Sequence, residues 1–359
     1  MLKKLLGSAA AAIVAAGFMA GGASAADPTK VGFIYVGPIG DHGWTYRHNE
    51  GRLAIEKEFG DKVKTTFVES VSEGADAERV IRKLAQEGHD LIFTTSFGFM
   101  NATLKVAKQF PNVKFEHATG YKRDKNVSTY AARFYEGRHV AGLIAGKMTK
   151  SNIVGYIGSF PIPEVVRGIN AFTLALRSVK PEAQVKVVWV NTWYDPGKES
   201  DAAKALIDQG ADIISQHTDS PAPVQIAQER GVWAIGQASD MSHFAPKSHM
   251  TSILDIWDHY YIQRTKAVMD GAWTSEDTWA GLKEGMLDMA PYNEALPADV
   301  VAMAKQAVED IKSGKVHPFA GPIKDQSGKV VVAAGESLDD KALLTMDWYV
   351  EGVQGKLPK

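Results

Sequence analysis

The chain has 359 residues, 45% of them hydrophobic and 23% charged, with a formal net charge of −2. That length suggests two domains with a core each, and the even charge balance leaves no field for nucleic acid and no polybasic patch for a membrane surface. There is no cysteine, which excludes disulfides, thiolate metal sites and a cysteine nucleophile.

Taken in order, the chain opens on Lys3 and Lys4, then an almost wholly apolar run over 5–19, then the small-x-small site Ala23-Ser24-Ala25. This three-part pattern predicts a secretory signal peptide over residues 1–25. No cysteine stands at the cleavage site, so no lipoprotein is expected, and no later run reaches the roughly 18 apolar residues of a spanning helix. The expected mature protein is soluble and periplasmic.

Residues 31–36 form a short apolar, β-rich run that breaks into a loop punctuated by Gly37, Gly40 and Gly43 and carrying Asp41, His42 and Trp44. From there strand and helix alternate. Strands are expected at 30–36, 63–69, 90–95, 113–118 and 127–131, and helices at 46–59, 76–88, 100–110 and 135–149. This is βαβ organisation, with ligands bound at the carboxyl ends of the strands.

The pattern then repeats. Gly155 echoes Gly32 at an offset of 123, Gly210 echoes Gly88 at 122, and Ala227 echoes Ala107 at 120. Near-constant separation predicts two similar lobes. Further on, 253–271 reads as a helix, 273–290 as a connection plus strand, 297–313 as a helix opened by Pro297, and 322–335 as a hairpin. Crossings between lobes are expected near 149–152, 250–253 and 274–277. The predicted fold class is therefore α/β, with two similar doubly wound Rossmann-like lobes joined by a hinge. Lobe 1 would comprise 27–149 plus 252–275, and lobe 2 would comprise 150–251 plus 276–359.

Enzyme motifs fall short. The run Gly142 to Lys147 is too short for a phosphate loop and sits in a helical pattern, so its glycines read as packing residues. There is no Gly-x-Ser-x-Gly elbow and no His-Glu-x-x-His, and His42, His48 and Asp41 fit no standard metal-ligand spacing. No catalytic residue, metal or cofactor is expected.

The strand ends carry more. They read Asp41-His42-Gly43-Trp44, Ser96-Phe97-Gly98-Phe99 and His117-Ala118-Thr119 in the first half. The second half gives Phe160, Asn191-Thr192-Trp193, His217-Thr218-Asp219 and Gln237-Ala238-Ser239-Asp240. Aromatic walls with a few placed polar groups make a small-molecule pocket. The candidate ligand-binding residues are Trp44, Trp193, Asp240, Asp41, Gly43, Ser96, Phe97, Phe99, His117, Thr218, Asp219 and Asp255. Packing is the alternative for the tryptophans and for Phe97 and Phe99, and a turn cap is the alternative for Asp240.

The two-lobe pattern, Gly-Asp-His-Gly-Trp, Asn-Thr-Trp-Tyr-Asp-Pro-Gly-Lys, Ala-Ile-Gly-Gln-Ala-Ser-Asp and Thr-Ser-Ile-Leu-Asp together resemble the basic membrane protein family. These are substrate-binding proteins of ABC transporters with a type I periplasmic binding fold. The resemblance spans about residues 30–315. It implies a purine ligand, nucleoside or nucleobase, and an inner-membrane ABC permease as partner. It also implies that Trp44 and Trp193 stack on the ring and that Asp240 holds ribose hydroxyls. The pattern departs where nucleoside binders show a sugar-facing Lys and this chain has Asp255, and the base-reading acid of the first lobe has no clear counterpart around Glu116. That departure predicts a free purine base. Other expectations are a sugar-binding protein of the same fold, an exported α/β enzyme using His42 or His117 as a base, or a co-receptor for a signalling partner.

Overall fold

A computed structural model describes residues 27–358 of the chain; the expected signal peptide lies outside the described residues. The first half runs β1 (Thr29–Ile34), α1 (Trp44–Phe59), β2 (Val63–Val68), α2 (Ala75–Gln86), β3 (Leu91–Thr94), α3 (Met100–Ala107), β4 (Lys114–Ala118), β5 (Val127–Ala132) and α4 (Phe134–Met148). The second runs β6 (Ile153–Gly158), α5 (Pro163–Val179), β7 (Gln184–Trp189), α6 (Pro196–Asp208), β8 (Ile213–His217), α7 (Ala222–Glu229), β9 (Trp233–Ala238) and β10 (His249–Asp255). There follow α8 (Asp258–Met269), β11 (Asp277–Ala280), β12 (Leu287–Met289), α9 (Ala298–Lys312), the hairpin β13 (Ile323–Lys324) with β14 (Val330–Val332), α10 (Asp340–Leu344) and β15 (Val353–Gln354).

Apart from the β13–β14 hairpin, these strands make two sheets, ordered β11-β5-β4-β3-β1-β2 and β12-β10-β9-β8-β6-β7-β15. The central strands are parallel in both, and β1 and β6 hold equivalent places. The halves differ at one edge: β11 runs parallel to β5, whereas β12 runs antiparallel to β10. This is the periplasmic-binding-protein-like α/β architecture. Its helices form by ordinary amphipathicity. In α2, Ala77, Val80, Ile81, Leu84 and Ala85 turn inward at helical spacing.

The lobe boundaries differ from expectation in three ways. The helix α4 packs on α5, α9 and β10, so it belongs with the second sheet, and the chain crosses at Arg133 rather than at 149–152. Gly142 permits this packing, because a Cβ there would lie 2.3 Å from the carbonyl oxygen of Phe172 on α5. The run Ile253 to Asp255, read as the start of a helix, instead ends β10 in the second sheet. A short apolar run does not by itself distinguish strand from helix. The third difference follows: β11, allotted to lobe 2, returns to the first sheet beside β5.

Three connections therefore join the sheets, at 133, at 256–257 and at 281–286. They are bonded to one another. Arg133 N donates to Ala280 O at 2.8 Å, Leu282 N to Glu136 Oε2 at 2.8 Å, and Ile256 N to Met286 O at 3.0 Å. Across the first lobe Glu116, fully buried, accepts from Arg264, Tyr260 and Trp273. Its carboxylate is consumed by this structural network.

Among the described residues no helix is long and apolar enough to cross a membrane.

Candidate functional site

The loop after β1 is organised by Asp41. Its Oδ1 accepts from Gly43 N at 2.8 Å and Tyr46 N at 3.0 Å, and its Oδ2 from Thr45 N at 2.9 Å. These are the unpaired N–H groups that open α1. Burial pushes the Asp41 carboxyl up to about 6 against the pull of those N–H groups.

The consequence is to aim Trp44, the first residue of α1. Its indole Nε1 donates to Thr95 O at 2.7 Å, and its ring stands edge-on to His48, Phe134 and Trp257. A fixed rotamer costs little further entropy when a ligand arrives.

From the other lobe, Trp193 leans on Phe160 with ring centroids 5.1 Å apart, and its Nε1 donates across the gap to Glu73 Oε1 at 3.2 Å. Glu73 also accepts from Ser96 Oγ at 2.5 Å and from Gly98 N at 3.0 Å. One carboxylate of the first lobe thus shapes the Phe97 turn and latches the opposing indole. The lobes also meet where Ser239 Oγ donates to His42 O and where a Cβ at Gly43 would lie only 2.3 Å from Asp219 O.

Between the lobes is a narrow cavity of about 20 Å³. Val36, Trp44, Ser96, Phe97 and Thr119 line it from the first lobe. Glu164, Trp193, His217, Asp219 and Gln237 line it from the second. Aromatic rings thus face a polar set supplied mainly by one side.

The electrostatics of that set are uneven. Burial, then Asp41, Glu199 and Asp255, push the Asp219 carboxyl well up from the usual range. Asp41 is held by three N–H groups, so of this neighbouring pair Asp219 keeps the proton. Its Oδ2 has no partner within the described residues. Burial lowers the His217 imidazole, partly offset by Glu164, whose Oε1 lies 3.6 Å from Nε2.

Of the sequence-derived candidates, Trp44, Ser96, Phe97, Trp193 and Asp219 stand on the cavity wall. Asp41 and Gly43 lie just behind it, as cap and as lobe contact. The remaining five stand elsewhere. Asp240 is half-buried and its Oδ1 accepts from Ser242 N at 2.9 Å, which is the turn-capping alternative. Phe99 is packed in the first lobe's core with Val106 and Phe115. Thr218 is buried, its carbonyl accepting from Gln216 Nε2 at 2.8 Å. Asp255 is fully buried at the end of β10, its backbone oxygen accepting from Arg47 Nε at 2.6 Å. Burial raises its carboxyl well above the ordinary range, while Arg47 and Arg138 pull it down.

His117 is fully buried, with Nδ1 2.9 Å from Thr94 Oγ1, and burial lowers its imidazole to about 3. In the unfolded chain it binds a proton below about pH 6.5, which the native state refuses until about pH 3, so this residue costs stability as the pH falls. His117→Gln is expected to remove about 2 kcal/mol of the loss between pH 7 and pH 5, read as urea midpoints at both pH values. Parallel pH profiles for variant and parent would contradict the burial.

Glu164 and Glu73 were missed from the sequence. The repeat held a signal for Glu164, since the offset of 123 residues carries Asp41 onto it. His217, Gln237 and Thr119 lay in the strand-end segments but were not singled out. Among the described residues no cluster of His, Asp or Glu could hold a metal ion.

Comparison with known proteins adds an independent line. The Bmp family model, described as ABC transporter substrate-binding protein, PnrA-like, matches residues 28–327. A purine-binding protein of Brucella abortus is 59% identical over 345 residues, covering 96% of this chain and 98% of its own. A putative ABC transporter glucose-binding protein of Haloferax volcanii is 36% identical over 338 residues, covering 94% and 83% respectively. Among solved structures, an ABC transporter solute-binding protein from Aeropyrum pernix superposes with a TM-score of 0.70 at 20% identity, covering 82% of this chain and 94% of that one. At that identity the likeness speaks for the fold.

Proposed function

The chain belongs to the PnrA-like family of ABC transporter substrate-binding proteins, and from that premise we propose that it captures a purine between its lobes and delivers it to an ABC importer. The observation that carries this is the pair of indoles, Trp44 and Trp193, supplied to one cavity by opposite lobes. The name of the 59%-identical Brucella relative supports the same ligand class.

In this mechanism an open form admits the ring onto the fixed face of Trp44. The three bonded connections flex, and Trp193 closes over the ring with Phe97 alongside. Asp219, Glu164, His217 and Gln237 then pair with the ring edge. Closure is driven only by contacts that exist in the closed state, so the edge groups of the second lobe convert binding into movement. The closed form is what a permease would read. The chain carries out no reaction in this scheme, and its place is the periplasm, reached by the signal peptide of residues 1–25.

A free base fits better than a nucleoside. Asp255, standing where the family's nucleoside binders have a sugar-facing cation, is sealed away from the wall. Calorimetry on the mature chain is expected to show adenine or hypoxanthine binding at least about tenfold more tightly than adenosine or inosine, because buried polar groups must otherwise be left unpaired. Tighter nucleoside binding would reverse the preference. The Haloferax relative's name favours a sugar as second reading, since an indole also stacks on a pyranose face. Saturable binding of glucose with none of any purine would establish it.

A further inference from the structure

We propose that Arg138 locks the side-chain amide of Gln237 with its NH₂ group toward the cavity, so that the site takes only a ring presenting a hydrogen-bond acceptor there. This rests on the purine reading and adds the polarity of one wall position to it.

Arg138 projects from α4 and is fully buried. One terminal nitrogen, Nη1, donates to Gln216 O at 2.7 Å, and the other, Nη2, donates to Gln237 Oε1. Its guanidinium carbon lies 5.6 Å from the centre of the Tyr156 ring, and Gly168 of α5 lies beside its stem, where an added Cβ would make ordinary contact at 3.5 Å from Arg138 Cγ. The group is therefore wedged between α4, α5 and the ends of two central strands.

A guanidinium has five N–H donors and no acceptor. Whatever faces it must accept, and in Gln237 only the amide oxygen can. The reversed amide would set N–H against N–H beside a fully buried guanidinium, where the mismatch is costly. Nε2 is left pointing away from Arg138, and no described residue accepts from it, while Gln237 itself lines the cavity.

Neighbouring wall groups are less committed. A protonated Asp219 both donates and accepts, and the Ser96 hydroxyl, having given its proton to Glu73, offers lone pairs. Gln237 has fixed polarity because a second residue, out of the ligand's reach, has taken its other end. Arg138 is thus a positioning residue, and the selectivity it imposes is for an acceptor, in adenine an unprotonated ring nitrogen, over a C–H or N–H in that place.

The test uses calorimetry on the mature chain with adenine and its 1-, 3- and 7-deaza analogues, each lacking one ring nitrogen. One analogue is expected to bind at least about 30-fold more weakly than adenine, as a site built for a hydrogen bond rejects a ligand lacking it. In Gln237→Ala that deficit should shrink to within about threefold. Arg138→Met should likewise collapse the adenine-to-analogue ratio, which a purely structural loss would leave unchanged. Gln237→Glu places a carboxylate against Arg138, keeping the melting temperature while offering the ligand an acceptor. Its adenine affinity should fall at least about a hundredfold. The inference is overturned if no analogue is discriminated, if the deficit survives in Gln237→Ala, or if folded Gln237→Glu binds adenine like the parent. In each of those cases adenine binding by the parent leaves the purine reading standing; failure of the parent to bind any purine takes down both.

Discussion

Gly43→Ala should leave each lobe folded and yet lower ligand affinity at least about a hundredfold. The added Cβ would lie 2.3 Å from the carbonyl oxygen and 2.9 Å from the Cα of Asp219 in the other lobe. Both are backbone atoms, so no side chain can swing aside. The loop after β8 that carries Asp219 is bonded to the loop after β7 that carries Trp193, whose carbonyl accepts from Asp219 N at 3.0 Å. Pushing Asp219 back therefore lifts the second indole off the ring. The cost to α1 is slight, since Gly and Ala at a helix entrance differ by about 1 kcal/mol or less. Small-angle scattering should show the parent contracting on ligand addition and the variant not. A variant that binds within about threefold of the parent would mean that this lobe contact does not belong to the ligand-bearing form.

Trp193→Ala should raise the dissociation constant roughly 30- to 100-fold with the melting temperature nearly unchanged. Stacking of a base on an aromatic side chain is worth about 1–3 kcal/mol, and the indole's hydrogen bond to Glu73 Oε1 across the gap is lost as well. Trp193 is half-buried at the rim of the core and its one aromatic ring partner among the described residues is Phe160, so its removal costs the core less than that of Trp44. Trp44 is a poorer probe of the same idea, because its ring also packs on Phe134 and Trp257 and its loss loosens the fold. Trp193→Phe separates the two contributions. It keeps an aromatic face and drops the N–H, and should sit several-fold below the parent. Adding Glu73→Gln to that variant should cost little more, since the latch is already broken. Wild-type affinity in Trp193→Ala, by calorimetry, would remove the ring-stacking premise.

The architecture was legible because βαβ alternation is written in hydrophobic periodicity. The offset between Gly32 and Gly155 anticipated the equivalence of β1 and β6. The crossings were less legible, since which lobe owns a helix is a tertiary matter. The residues of α4 are apolar on more than one side, and only the close approach of Gly142 to α5 assigns it. At the site, the large aromatics at strand ends announced themselves. Polar residues did not, because an acid at a strand end is equally suited to capping, to a buried network or to a ligand. Asp41, Asp240 and Glu116 all spend their oxygens inside the protein. Glu164 faces the cavity from the first turn of α5, where no strand-end rule looks.

The brevity of two of the bonded connections limits how the molecule can gape. A single residue, Arg133, separates β5 from α4, and six residues separate β11 from β12. At about 3.3–3.6 Å per fully extended residue, even the longer of these tethers spans no more than about 25 Å, and the shorter admits almost no slack. The halves cannot drift apart; they can only swing, as a door does on pins set along one jamb. The gap is then widest at the free side, where the Glu73 carboxylate and the Trp193 indole meet. Those two residues are the last to engage on closing and the first to part.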